Sequence, residues 1–310
     1  MLTQKKLSTA ASLLAALAAS NASGQVASWV SPVNGGWNTG ANWDGGFVPL
    51  FPNHDAVLGL SDPYTVTVDT SPNIGILSIT NPSAILSVSP ARTLGLNGPT
   101  ATNDGVIQIN PLGSSADAFL AINANTSLGG TGEIWMRTSS DNSQITGAGL
   151  LTQGSNHTIR GVGRIVAQVT NNGEIRADIG VSVSGSDLDL MANITNNGTL
   201  SAATTSALDF VGIAIDQTGG GEIFSANGGL VNVTSQDATI TGGTIDRAGT
   251  GEFNVLGGGI ASLIGVTNNG FIDINPSGRI DVSGTGLTNN GTVAMNQFGS
   301  SADAILFYAC

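Results

Sequence analysis

Thr170-Asn171-Asn172-Gly173-Glu174-Ile175 and Thr195-Asn196-Asn197-Gly198-Thr199-Leu200 decide the fold. The same unit recurs at Thr267-Asn268-Asn269-Gly270 and Thr288-Asn289-Asn290-Gly291, with a near copy at Thr102-Asn103-Asp104-Gly105. Each copy follows an apolar or small residue and leads into a short Ile-, Leu- or Val-bearing segment. The five glycines are 68, 25, 72 and 21 residues apart, so two spacings fit one coil of chain and two fit three coils. Asn and Gly tolerate left-handed backbone conformations. Asparagines stacked at one corner also exchange side-chain hydrogen bonds between coils. The unit therefore predicts the corner of a parallel coil, with Asn-Gly hairpins of an antiparallel sandwich as the alternative.

The segments between these corners alternate as strands do. Tyr64-Thr65-Val66-Thr67-Val68, Ile76-Leu77-Ser78-Ile79, Val106-Ile107-Gln108-Ile109, Ile134-Trp135-Met136, Val181-Ser182-Val183, Ile213-Ala214-Ile215, Leu230-Val231-Asn232-Val233 and Phe271-Ile272-Asp273-Ile274 all carry a period of two. The four glutamates share one context, Gly132-Glu133-Ile134, Gly173-Glu174-Ile175, Gly221-Glu222-Ile223 and Gly251-Glu252-Phe253. That pattern predicts a repeated outward slot followed by an inward neighbour. A longer repeat matches Asn103–Leu120 to Asn289–Leu306 at a constant offset of 186, with Gly-Ser-Ser-Ala-Asp-Ala identical in both copies. It implies either a duplicated block in a longer protein or matching ends of one solenoid. The expectation is an all-β, right-handed parallel β-helix of about 10–13 coils, roughly 50–60 Å long at about 4.8 Å per coil.

Composition narrows the function classes. Of 310 residues, 44 are Gly and only 10% are charged, against a typical ~25%. Net charge is −12, and both lysines, Lys5 and Lys6, lie at the extreme N-terminus. Without them seven Arg face 21 acids. No basic face for nucleic acid exists in such a chain, and no polybasic membrane patch. No later apolar run is long enough for a transmembrane helix. Two histidines and one cysteine, Cys310, make a zinc site improbable and exclude an internal disulfide. No metal or other cofactor is expected.

The N-terminus reads as an export signal: Lys5 and Lys6, an apolar stretch from Leu7 to Ala19, then Ser20-Asn21-Ala22-Ser23-Gly24. Residues 1–24 are therefore assigned to a signal peptide, 25–69 to a Trp/Gly-rich cap and 70–310 to the repeat domain, with the chain end at Cys310 read as a truncation point or a true terminus. Three of the four tryptophans, Trp29, Trp37 and Trp43, fall in the cap. They serve either to close the open end of the coil or as an aromatic platform for a sugar ring. His54-Asp55 is a weak candidate base. Asp187 and Asp189 share one strand face and are the best candidates for a paired-carboxylate site, against the plainer reading of a solvated strand.

The run Trp37-Asn38-Thr39-Gly40-Ala41-Asn42-Trp43-Asp44-Gly45-Gly46 followed by Thr-Asn-Asn-Gly coils resembles large secreted bacterial β-helix proteins. Autotransporter passenger regions and surface proteins with a PEP-CTERM-type sorting signal are of this kind. The resemblance implies a parallel β-helix and transfers no catalytic residue. It points to a secreted or cell-surface structural and adhesive protein without catalytic activity. Its partners would be extracellular polysaccharide or cell-surface components, and copies of itself joined end to end through the apolar segment Ala304-Ile305-Leu306-Phe307-Tyr308-Ala309. The rival expectations are a polysaccharide-active enzyme and a carbohydrate-binding module built on the three tryptophans.

Overall fold

The computed structural model describes residues 24–137, 141–179, 187–297 and 299–308. The expected export segment up to Ser23, the strand expected at Val181–Val183 and Cys310 lie outside the described residues. The chain forms an all-parallel β-solenoid of about 11 turns, which at roughly 4.8 Å per rung gives a rod of about 50 Å. Each regular rung contributes three strands, which define three faces. Face 1 contains Val169–Asn171, Ile194–Asn196 and Ile213–Asp216; face 2 contains Glu174–Ala177, Thr199–Ala202 and Glu222–Ser225; face 3 contains Leu188–Leu190, Ala207–Phe210 and Leu230–Val233.

Alternation places one apolar column inside each face. Leu151, Val169, Ile194, Ile215, Ile240 and Leu263 stack in register on face 1. Ile159, Ile175, Leu200, Ile223 and Ile245 do so on face 2, and Leu188, Leu208, Val231, Phe253 and Ile272 on face 3. All are essentially inaccessible. Each rung buries little by itself, and stacking makes the core continuous. Three glutamates occupy the expected slot on face 2, alternating with threonine in the order Glu133, Thr158, Glu174, Thr199, Glu222. Glu252 instead stands on face 3, opposite Leu230.

The asparagine corners form ladders. Asn171 Nδ2 donates to Asn196 Oδ1 at 2.8 Å, and Asn196 Nδ2 donates to Gln217 Oε1 at 2.9 Å. The outer asparagines pair likewise, Asn197 Nδ2 to Asn172 Oδ1 at 2.9 Å and Asn290 Nδ2 to Asn269 Oδ1 at 3.0 Å. The five units do not, however, share one corner. Asn103, Asn171 and Asn196 end face 1 strands, whereas Asn268 stacks on Ile245 at the end of face 2 and Asn289 stacks on Asn268. The 186-residue repeat shows the same displacement. Val106 lies on face 2 and its counterpart Thr292 on face 3. The repeated loops keep their shape across that shift. Asn110 (φ 54°) donates to Ser114 O and Ala116 O, and Asn296 (φ 48°) to Ser300 O and Ala302 O. Rung length explains the drift. Successive rungs of face 2 take 27, 25, 16, 25, 23 and 22 residues from Val106 to Thr244, a wider spread than the glycine spacings imply.

Candidate functional site

The three cap tryptophans are packed together. Trp43 lies edge-on to Trp29 and to Trp37, with ring centroids 5.2 and 4.8 Å apart, and Trp29 stacks on Tyr64 at 6.3 Å. Trp37 Nε1 donates to Pro49 O at 2.9 Å, and Trp43 Nε1 to Trp37 O at 2.7 Å. All three are at most 2% exposed, so none offers a ring face to a sugar. Two short 3-10 turns, Gly40–Asn42 and Asp44–Gly46, fold the segment back so that Trp43 bridges Trp29. This arrangement covers the apolar end of the first rungs. His54 accepts from the backbone N–H groups of Leu50 and Phe51 through Nδ1, while Asp55 accepts from Ile76 N–H. The two side chains hold separate turns.

Chemistry concentrates instead around the corner at Gly161–Gly163. The strand Thr158–Ile165 runs through this corner without a loop, from face 2 to face 3. Both glycines have positive φ, 116° and 137°, and a Cβ on either would collide with a backbone oxygen of the preceding rung. On the face 2 side, Arg160 bonds Glu133 at 2.6 Å and Asp178 at 2.8 Å; Arg176 bonds Glu174 at 3.2 Å and Asp178 at 3.3 Å. Trp135, outside the cap, is clasped between Arg137 and Arg160, whose Cζ atoms lie 3.9 and 4.2 Å from its ring centre. Both guanidinium groups are within cation-π distance of the ring.

On the face 3 side, register stacks Arg164, Asp189, Asp209, Asn232, Asn254 and Asp273 on successive rungs. Arg164 bonds Asp141 at 2.5 Å and lies 3.6 Å from Asp189. Asn254 donates to Asn232 at 3.1 Å, and Asn232 donates to Asp209 at 2.8 Å. Burial raises Asp189 to about 6; the charge of Asp141 adds to this and Arg164 opposes it. Burial raises Asp209 further, to about 7, against the lowering effect of the Asn232 hydrogen bond. Asp187 is also raised by burial and by Asp141. Structure thus pairs Asp189 with Asp209 across a rung, a partner the strand-face argument for Asp187 and Asp189 did not reach. The signal was present only as register: the two residues are one rung apart in Ser-Asp-Leu-Asp-Leu and Ala-Leu-Asp-Phe.

Among the described residues no group of three or more His, Cys, Asp or Glu is arranged to hold a metal ion, and no helix is long and apolar enough to cross a membrane. The fold and these clusters define a parallel β-solenoid with a tryptophan cap and one charge-rich corner. No protein family, curated protein or solved structure matches the chain.

Proposed function

We propose that this chain is an exported structural and adhesive rod of a bacterial cell surface, without catalytic activity, of the kind represented by autotransporter passengers and sorting-signal surface proteins. One observation carries the reading: buried polar side chains are used to join rung to rung. Asn171, Asn196 and Gln217 form one such ladder and Asp209, Asn232 and Asn254 another. Charged side chains at the corner likewise pair with one another. A wall tied together in this way suits a durable scaffold. The reading extends to end-to-end association, because Ile305, Phe307 and Tyr308 of the last described strand are each about half exposed and among the described residues that strand pairs on one side only, with Arg279–Val282, which suits pairing with another chain.

A second reading is favoured by one specific feature, the raised pKa values of Asp189 and Asp209. A carboxyl group that stays protonated near neutrality beside an ionised one is the arrangement glycosidases use for general acid catalysis. Incubating the purified protein with acidic and neutral polysaccharides and measuring reducing ends separates the two. The scaffold reading expects no turnover. Turnover that persists through purification and disappears in Asp189→Asn or Asp209→Asn establishes the enzyme.

A further inference from the structure

Face 1 carries an axial trough. Two contiguous depressions of about 420 and 410 Å³ meet at Ala214 and run from the rung of Leu150 to that of Asp281. Register makes the trough continuous: Thr170 stacks on Thr195 and Thr195 on Asp216, while beside them Ala214 stacks on Thr239, Thr239 on Ser262 and Ser262 on Asp281. Seven rungs at about 4.8 Å give a length of roughly 29 Å.

The trough lining differs from the asparagine corners and from the Asp209-Asn232-Asn254 column. Inner and outer asparagines at the corners bond each other, and the face 3 column bonds itself. In the trough, the hydroxyls of Thr170 and Thr195 and the side-chain amides of Gln168 and Gln236 have no hydrogen-bond partner among the described residues. Asn193 uses only its oxygen, accepting from Ala214 N–H at 2.9 Å, which leaves its amide nitrogen free. Thr170 and Thr195 stand in register on adjacent rungs, followed by Asp216, on a surface with apolar patches at Leu150 and Ala214. Charge selects among ligands. The lining residues include Asp216, Asp237 and Asp281 and no Arg, Lys or His. The first two carboxylates already accept backbone N–H groups, from Thr218 and Ile260, and Asp281 is paired with Arg279. An anionic polymer would meet repulsion from Asp216 and Asp237, which no cation pairs among the described residues.

We propose that this trough binds a linear, neutral polysaccharide lying parallel to the solenoid axis, with sugar hydroxyls bonded to the Gln168, Thr170, Asn193 and Thr195 side chains and ring C–H faces against Leu150 and Ala214. The proposal rests on the adhesive reading and names its ligand class and place.

The test is affinity electrophoresis and calorimetry of the full chain with uncharged β-linked glucan and xylan oligosaccharides of increasing length, with polygalacturonate as the anionic comparison. Expected are binding to the neutral series, affinity that rises with length until the trough is filled, and no binding of polygalacturonate. Thr170→Glu with Thr195→Glu should weaken neutral binding at least tenfold, and Asn193→Ala should weaken it less. Thr204→Glu, at an exposed turn away from the trough, should leave it unchanged. Thermal melts of each variant show whether the fold is intact; should the double variant unfold, Asn193→Ala carries the test. Neutral binding that is indifferent to these trough changes, or preference for polygalacturonate, overturns the assignment. Retention of the protein on bacterial cell-wall preparations without neutral-glycan binding overturns the trough and leaves adhesion standing. Retention on neither removes both.

Discussion

Replacing Asn196 by Ala tests whether the inner ladder holds the rungs together. Asn196 is fully buried. Its Nδ2 donates to Gln217 Oε1 at 2.9 Å and to Glu222 O at 3.1 Å, and its Oδ1 accepts from Asn171 at 2.8 Å. Truncation removes all three bonds. Asn171 keeps its bond to Thr199 O, so it is only partly orphaned, whereas Gln217 Oε1 loses its donor. Hydrogen bonds contribute about 1 kcal/mol each, and a buried acceptor left unpaired costs about 1–3 kcal/mol. A small cavity adds to this. The expected loss is therefore about 3–5 kcal/mol, read from urea unfolding followed by circular dichroism. Asn197→Ala is the internal control, because Asn197 is exposed and donates one bond to Asn172. It should cost about 0.5 kcal/mol or less. Equal destabilisation by the two substitutions would refute the idea that the inner column carries more stability than the outer one. A double-mutant cycle with Asn171→Ala should show coupling of about 0.5–2 kcal/mol.

Three further expectations concern other parts of the molecule. Asp189 and Asp209 are protonated more readily in the folded chain than in the unfolded one. The folded state therefore binds more protons between about pH 4 and 7, and stability falls as pH rises through that window. Asp209→Asn should flatten the slope and stabilise the protein at pH 8, as measured by unfolding midpoints across pH. Gly161→Ala would drive a Cβ into the Met136 carbonyl oxygen at positive φ; it should destabilise by about 3 kcal/mol or more, seen as a lowered melting temperature. End-to-end association should appear as a concentration-dependent mass in light scattering of the 310-residue chain, reduced by Phe307→Asp, and a monomer at all concentrations would remove it.

Much of the architecture is legible before any coordinates are considered, because burial in a solenoid is written into alternation. The inward partner of each outward residue, such as Ile175 beside Glu174, needs only a period of two. Corner asparagines are legible because one side chain offers both a donor and an acceptor to the next rung; the left-handed backbone that Asn and Gly tolerate is not used there, since none of the Thr-Asn-Asn-Gly residues has a positive φ. What escapes is register. Rungs of 16 and 27 residues on the same face cannot be told from spacing alone, since turns absorb the difference. Hence Asn268 and Asn103, in near-identical motifs, stand at different corners. The pairing of Asp189 with Asp209 and the clasp of Arg137 and Arg160 on Trp135 depend on the same hidden quantity. The cap tryptophans were ambiguous for another reason: a large ring serves equally to fill a core or to meet a ligand, and only the fold of Gly40–Gly46 decides.

The corner motif also bears on how the protein ages. An asparagine followed by glycine is a chemically fragile pair, because the glycine nitrogen attacks the asparagine side chain, ammonia leaves, and water then opens the cyclic imide to an aspartate or an isoaspartate. Here those nitrogens are occupied: Gly173 N–H and Gly270 N–H donate to the Oδ1 of Asn171 and Asn268, and Gly198 N–H and Gly291 N–H donate to the carbonyls of the same two residues. The attacking atom is held away from its target as long as the rungs stay stacked. Fraying of a rung releases the pair, and each resulting carboxylate adds a negative charge to the asparagine column. Spontaneous decay should therefore start at exposed rungs and advance inward, giving the rod a shelf life set by its ends.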